Sequence, residues 1–68
     1  MIRLNRKAFE RYQAEKGWSN TELAKKMGIN LVQVWRVKEE HNRPGCIFIA
    51  GALKAFPKAS FDDLFFRP

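Results

Sequence analysis

Apolar residues recur every three or four positions along most of the chain, which is the spacing expected of helices that bury one face. Runs in which β-branched and polar residues alternate, as they do in strands, do not occur in the sequence. The pattern therefore predicts an all-α fold of roughly five short helices. Because the 68 residues contain no repeat, linker or low-complexity tract, we expect residues 1–68 to form a single compact domain.

Capping signals set the predicted bounds of these helices. The first helix covers about 5–16, with Asn5 as its cap. The second lies between Ser19, which opens a capping box, and Gly28, which can end a helix by adopting a positive φ. The remaining predicted helices are 31–38, about 46–56, and a short one from Ser60 to near Phe66.

The inward side of each predicted helix gives the expected core. Cys46 is included because an isolated cysteine most often packs as a small apolar residue. The side chains expected to be buried are Ala8, Phe9, Tyr12, Trp18, Leu23, Ala24, Met27, Ile29, Val34, Val37, Cys46, Ile49, Ala52, Leu53, Phe56, Leu64 and Phe65.

Residues 19–38 have the spacing of a helix-turn-helix, two short helices joined by a turn of about three residues that contains glycine. Ala24 is small where the two helices would cross, and Gly28 follows four residues later. Ile29 would lie beneath the turn, and the third helix would pack through Val34 and Val37. These features in register make a stronger signal than any one of them alone.

The segment WSNTELAKKMGINLVQVWRV resembles the Xre/Cro/cI helix-turn-helix family of phage and bacterial transcriptional regulators. The likeness extends to Arg43-Pro44 and to SFDDLF at 60–65, so it spans nearly the whole chain. Members of that family have a compact five-helix, lambda-repressor-like fold and bind operator DNA, usually as dimers, with the third helix in the major groove. The resemblance therefore implies a DNA-binding transcriptional regulator.

Helical geometry separates the two sides of the third helix. If Val34 and Val37 point inward, the outer side consists of Leu31, Val32, Gln33, Trp35 and Arg36. In a major groove Arg36 can pair with guanine and Gln33 with adenine, each bidentate pair discriminating by about 1–3 kcal/mol. Leu31 and Val32 can lie against thymine methyl groups.

Further positions are candidates for contacts with phosphate and with a second copy of the chain. Asn20 matches a family position that contacts phosphate at a helix N-terminus, where free amides attract anions. The loop after the third helix offers Asn42 and Arg43 for the same role. A single helical turn cannot bury all the aromatic surface near the end of the chain, so the candidates for a dimer contact are Phe61, Phe65 and Phe66.

Two positions depart from the family pattern. Many relatives carry an arginine in the first helix that pairs with a glutamate at the end of the third. The matching residues here are Gln13 and Lys38, so that ion pair is absent. Glu39 and Glu40 follow the third helix, where two carboxylates are expected to repel a DNA backbone.

Composition narrows the functional class. The net charge of +6 favours binding to polyanions such as DNA, RNA or an acidic membrane surface, although this charge is also common in small proteins that bind no nucleic acid. With one cysteine and one histidine, the sequence predicts neither a disulfide nor a metal site. It also contains no combination of a nucleophile with a histidine and an acid, and no glycine-rich phosphate loop, so it suggests neither an enzyme nor a cofactor. No membrane segment or signal peptide is expected, and the cytoplasm is the predicted location.

A second functional class remains open. An exposed leucine, valine and tryptophan on one helix face also form an apolar patch of the kind that marks protein contacts. The chain could then be an antirepressor-like regulator that keeps the fold but binds a partner repressor through the third helix. A toxin–antitoxin or assembly partner is a further alternative, since fold does not fix the ligand.

Overall fold

The computed structural model describes residues 2–67 of the chain. Within that part, five helices and one two-stranded sheet make up the fold. The elements in chain order are β1 Arg3–Leu4, α1 Arg6–Lys16, α2 Asn20–Met27, α3 Leu31–Lys38, α4 Cys46–Ala55, α5 Phe61–Leu64 and β2 Phe65–Phe66. The fold is therefore mostly helical, as expected, but it is not all-α.

The predicted capping groups are present at the helix ends. Asn5 caps α1, with Oδ1 accepting from the backbone N–H of Ala8 at 3.3 Å. Ser19 and Glu22 form a reciprocal capping box at the start of α2. Gly28 ends α2 with φ of 72°, a left-handed conformation that costs other residues free energy. These local hydrogen bonds explain why the bounds of α1 and α2 follow from the sequence.

The small sheet joins the two end regions of the chain. β1 and β2 are antiparallel, with Arg3 opposite Phe66 and Leu4 opposite Phe65. Next to this ladder, the N–H of Asn5 donates to the carbonyl of Leu64 at 2.8 Å. The prediction that the last helix continues to about residue 66 is wrong, because the backbone after Leu64 is extended and pairs with β1.

Aromatic side chains fill the centre of the core. The ring of Phe9 lies 5.6 Å from each of the rings of Phe48 and Phe56. Phe48 is the buried aromatic residue of α4, whereas the predicted inward residues Ile49 and Leu53 are only half-buried. Since α4 is apolar on nearly every side, its pattern could not identify the buried face.

The helices α2 and α4 approach closely at Gly51. A Cβ atom at this position would lie 2.6 Å from the carbonyl oxygen of Met27, so no larger residue fits without a shift. Cys46, at the start of α4, is exposed, which corrects the expectation that it packs in the core. Trp18 is half-buried and stacks on Phe56 at a centroid distance of 5.6 Å.

No helix within residues 2–67 has the length and apolar character needed to cross a membrane.

Candidate nucleic-acid interface

The outer side of α3 is open to solvent. Val34 and Val37 hold the helix against the core, with exposed fractions of 0% and 6%. On the opposite side, the large apolar residues Leu31, Val32 and Trp35 are 42%, 48% and 50% exposed. Gln33 and Arg36 are exposed beside them, so the five residues predicted for the outer side are all on the surface. We call this set, Leu31, Val32, Gln33, Trp35 and Arg36, the α3 face.

The polar groups at the start of α3 form hydrogen bonds within the helix itself. Asn30 accepts from the backbone N–H of Val32 through Oδ1 at 2.7 Å. Gln33 accepts from the backbone N–H of Asn30 through Oε1 at 3.4 Å. The second bond is long, but it turns the Gln33 carboxamide back towards the helix start. Bidentate recognition of adenine by Gln33 would require the carboxamide to turn outward, because the pairing uses its oxygen and its nitrogen together.

A mostly apolar groove lies between the start of α2 and the α3 face. Its volume is about 360 Å³, and its walls are formed by Asn20, Thr21, Leu31, Val32 and Trp35. Thr21 was not a predicted site residue. Its place in the groove depends on how α2 packs against α3, which the spacing of residues along the chain does not reveal.

The loop that follows α3 supports Trp35. Glu40 has φ of 62°, which reverses the chain direction just beyond the helix. After this turn, the N–H of His41 donates to the carbonyl of Arg36 at 2.8 Å. The ring of His41 then stacks on the indole of Trp35, with centroids 5.2 Å apart and planes 28° apart. Trp35 therefore has an aromatic neighbour on one side while half of its surface stays exposed.

A buried polar cluster ties α3 to the first two helices. Lys38 is only 6% exposed, and its Nζ donates to Oε1 of Gln13 at 2.5 Å and to Oδ1 of Asn20 at 2.9 Å. Glu10 completes the cluster with a carboxylate oxygen 3.5 Å from the same nitrogen. Burial lowers the pKa of Lys38, while the charge of Glu10 acts in the opposite direction.

This cluster refines one prediction from the sequence. The absence of an arginine–glutamate pair at positions 13 and 38 does not leave α1 and α3 unconnected, because Gln13 and Lys38 bond directly. Burial of Lys38 could not be foreseen, since lysine is almost never buried without partners and its partners lie on two other helices. The spacing of the three residues in the sequence gives no signal of their contact.

Asn20 belongs both to this cluster and to the edge of the groove. Its Oδ1 accepts from Nε2 of Gln13 at 3.0 Å as well as from Lys38. These bonds fix the carboxamide and leave its Nδ2 group without a hydrogen-bond partner among residues 2–67. The other two predicted phosphate contacts, Asn42 and Arg43, are exposed in the loop between α3 and α4.

The carboxylates after α3 are paired with arginines from the beginning of the chain. Glu40 lies 2.9 Å from Arg3, and Glu39 lies 3.5 Å from Arg6. Arg6 also donates to Glu10 and to the carbonyl of Lys38, and the bond to Glu10 is the main cause of a raised pKa of Arg6. The repulsion expected from these two glutamates is therefore reduced by neighbouring positive charges.

The aromatic residues considered for a dimer contact differ in their exposure. Phe65 is 1% exposed and packs in the core, with its ring 6.3 Å from that of Phe48 and 5.1 Å from that of Phe61. Its assignment as a dimer contact is thus wrong, because an intermolecular contact would require the core to open. Phe61 is half-buried, and Phe66 is 54% exposed.

Comparison with known proteins does not add a family to these observations. No family model matches the chain, and no match was found among curated proteins or solved structures.

Proposed function

We propose that this chain is a sequence-specific double-stranded DNA-binding protein of the transcriptional-regulator type, similar to those of phages and mobile elements. The observation that carries the proposal is the α3 face, a free helical surface held in place by Val34 and Val37 on a chain of net charge +6. An α-helix fits the major groove of B-DNA, where base edges can be read. The resemblance of residues 18–37 to the Xre/Cro/cI family supports the same mode of binding.

Two groups of residues have different roles in this mode of binding, one contacting bases and the other contacting phosphates. Arg36 lies on the α3 face and can donate two hydrogen bonds to guanine. Asn20, on α2, borders Val32 in one groove. Arg43, in the loop, borders Gln33 in another groove, so both residues can contact phosphates beside the α3 face. Phosphate contacts provide affinity and register, and the α3 face provides sequence preference.

The test is a titration by fluorescence anisotropy at low and higher salt. Duplexes selected from a random library by the wild-type protein are compared with unselected duplex. We expect selected duplexes to bind more tightly, and the logarithm of affinity to fall with the logarithm of salt concentration by about 0.9 per phosphate contact. Equal binding of selected and unselected duplex would refute sequence specificity, and no binding at low salt would refute the proposal itself.

A charge-matched pair of variants makes this test specific to the α3 face. Arg36→Ala and Lys58→Ala remove one positive charge each, and both side chains are exposed. Lys58 borders a different groove, with Tyr12 and Phe56. Arg36→Ala should relax the preference at one base pair by about 1–3 kcal/mol, whereas Lys58→Ala should leave the preferred sequence unchanged. The same loss of preference in both variants would mean that total charge, and not Arg36, is responsible.

We also propose that the active form is a dimer, since one short helix reads few base pairs. A dimer would place two copies of α3 about 34 Å apart on a near-palindromic site. Phe66, together with the half-buried Phe61, provides exposed aromatic surface for the contact. Sedimentation should show a dimer on a selected duplex, and Phe66→Ala should weaken it. A single copy bound per selected site would refute the dimer without affecting DNA binding.

The exposed groove beside α3 supports a second candidate, the antirepressor-like regulator. Three large apolar side chains at 42–50% exposure could bind a partner repressor as well as DNA. The discriminating assay uses a helix-turn-helix repressor bound to its own operator, and any such repressor found encoded next to this chain is the first to be tested. Release of that repressor by this chain, with no binding of this chain to duplex, would favour the second candidate. Tight binding to selected duplex would favour the first.

A further inference from the structure

The first turn of α3 offers DNA mainly apolar surface. Leu31 and Val32 form this surface together with Trp35, and all three line the groove of about 360 Å³. The hydrogen-bonding oxygens nearby, on Asn30 and Gln33, already accept from the backbone of the same turn. A polar base edge placed directly against Leu31 or Val32 would lose its water without gaining a partner from these two side chains, which costs free energy.

In the major groove, the largest apolar group is the methyl group at C5 of thymine. Cytosine presents only a hydrogen at this carbon, and the nitrogen and oxygen positions of the base edges are hydrogen-bond donors or acceptors. Cytosine that is methylated at C5 places the same group at the same position. Positive charge favours DNA over a protein partner as the occupant, because the chain carries +6 and Arg36 lies exposed on the same face.

We infer that the α3 face selects pyrimidines that carry a C5-methyl group, an inference that rests on the proposed DNA-binding function. Val32 and Arg36 are four residues apart on one side of α3, which corresponds to about 6 Å along the helix axis. Successive base pairs are about 3.4 Å apart. The preferred site should therefore contain a methylated pyrimidine one or two steps from the guanine bound by Arg36.

The expected effect follows from the area of one methyl group. Burial of one such group is worth a few-fold in affinity, so loss of each contacted methyl should weaken binding by about three- to fivefold. Loss of two contacted methyl groups should weaken binding by roughly tenfold or more.

The first experiment replaces thymine by deoxyuridine in a selected duplex, which removes only the methyl group. We expect a three- to fivefold loss of affinity at the contacted positions and no loss at positions outside the protected site. The salt dependence should stay the same, because phosphate contacts are retained. Equal affinity for the two duplexes, with salt dependence intact, would overturn the inference while leaving the proposed function in place. Failure of every duplex to bind would overturn both.

A second arm distinguishes the two sources of the methyl group. At the thymine-preferring position, a C·G pair is compared with the same pair carrying 5-methylcytosine. Tighter binding of the methylated pair means that the methyl group itself is recognised in both pyrimidines. Equal binding of the methylated and unmethylated C·G pairs restricts the inference to thymine. Equal affinity for the thymine and deoxyuridine duplexes rejects the inference for both pyrimidines.

Variants locate the recognition on α3. Val32→Ala should reduce the ratio of thymine to deoxyuridine affinity towards one, and circular dichroism checks that the helices are intact. Ile47→Ala is the matched control, since Ile47 is an exposed aliphatic residue on α4 that lies outside the groove lined by Val32. Because Ile47 borders Gln33 and Arg43 in a separate groove, the control compares the ratio of thymine to deoxyuridine affinity and not the total affinity. The ratio should be unchanged in this control. A ratio that stays at the wild-type value in Val32→Ala and in Leu31→Ala would reject the α3 face as the source of the discrimination.

Discussion

Replacement of Gly51 by alanine should destabilise the protein, although the same change stabilises most helices. Gly51 lies within α4, where alanine would ordinarily gain up to about 1 kcal/mol in helix propensity. Here, however, the new Cβ would lie 2.6 Å from the carbonyl oxygen of Met27 and 3.1 Å from its Cβ. The first of these atoms belongs to the backbone of α2 and cannot move away as a flexible side chain could.

The size of the effect can be worked out from this overlap. An ordinary contact at about 3.4 Å requires α2 and α4 to separate by about 0.8 Å. A gap of this size forfeits roughly a quarter to a half of the dispersion energy of the atoms along the contact. Overpacking of this kind costs about 1–3 kcal/mol, against a propensity gain of up to about 1 kcal/mol. We therefore expect no net gain, a loss of up to about 2 kcal/mol and a fall in Tm of up to roughly 15 °C.

Urea unfolding followed by far-ultraviolet circular dichroism measures this loss. Ala50→Gly provides the matched control, since Ala50 is the exposed neighbour of Gly51 in α4 and reports the propensity difference alone. The control should lose about 1 kcal/mol. If Gly51→Ala gains stability by a similar amount, the close approach of α2 and α4 does not limit the residue size at this position and the reasoning is refuted.

Three further predictions concern the ends of α2 and the buried lysine. Ser19→Ala should cost about 1 kcal/mol in urea unfolding, because the backbone N–H of Glu22 loses its capping oxygen; an unchanged midpoint would contradict the capping box. Gly28→Ala should cost about 1–2 kcal/mol at a φ of 72°, and Gly28→Asn should cost less, so equal losses would argue against backbone strain. Burial lowers the pKa of Lys38 from its ordinary 10.5. At pH values between this lowered pKa and 10.5, Lys38 is therefore protonated in the unfolded chain but has released its proton in the folded chain. The free energy of unfolding of the wild-type protein should therefore rise with pH in that range, relative to that of Lys38→Met. Parallel pH profiles of the free energy of unfolding for the two proteins would contradict this prediction.

The parts of the fold that were predictable are those fixed by local bonds. The start of α2 follows from Ser19 and the end from Gly28, because both act on backbone groups within a few residues. The burial of Val34 and Val37 follows from helical periodicity, and it places the α3 face outward. Exposure of the candidate site could therefore be predicted before its contacts were known.

Features that depend on distant parts of the chain were not predictable. The sequence predicts that Phe65 and Phe66 continue the last helix, but they form a strand because their backbone pairs with β1. Phe48, and not Ile49, is buried in α4 because Phe9 provides its partner from another helix. The same holds for Lys38, whose burial depends on Gln13 and Asn20, and for the salt bridges that offset Glu39 and Glu40.

The ladder between β1 and β2 has a consequence for the connectivity of the chain. Because Arg3 faces Phe66, residues more than sixty positions apart become neighbours, and the folded backbone comes close to forming a ring. A short peptide could join these segments, and the ring could be reopened in the exposed loop between α3 and α4 without crossing the core. Such a circular permutant would keep the range of every helix, and the entropy cost of bringing residues 3 and 66 together, which grows with the logarithm of the loop length, would move to the new opening between α3 and α4.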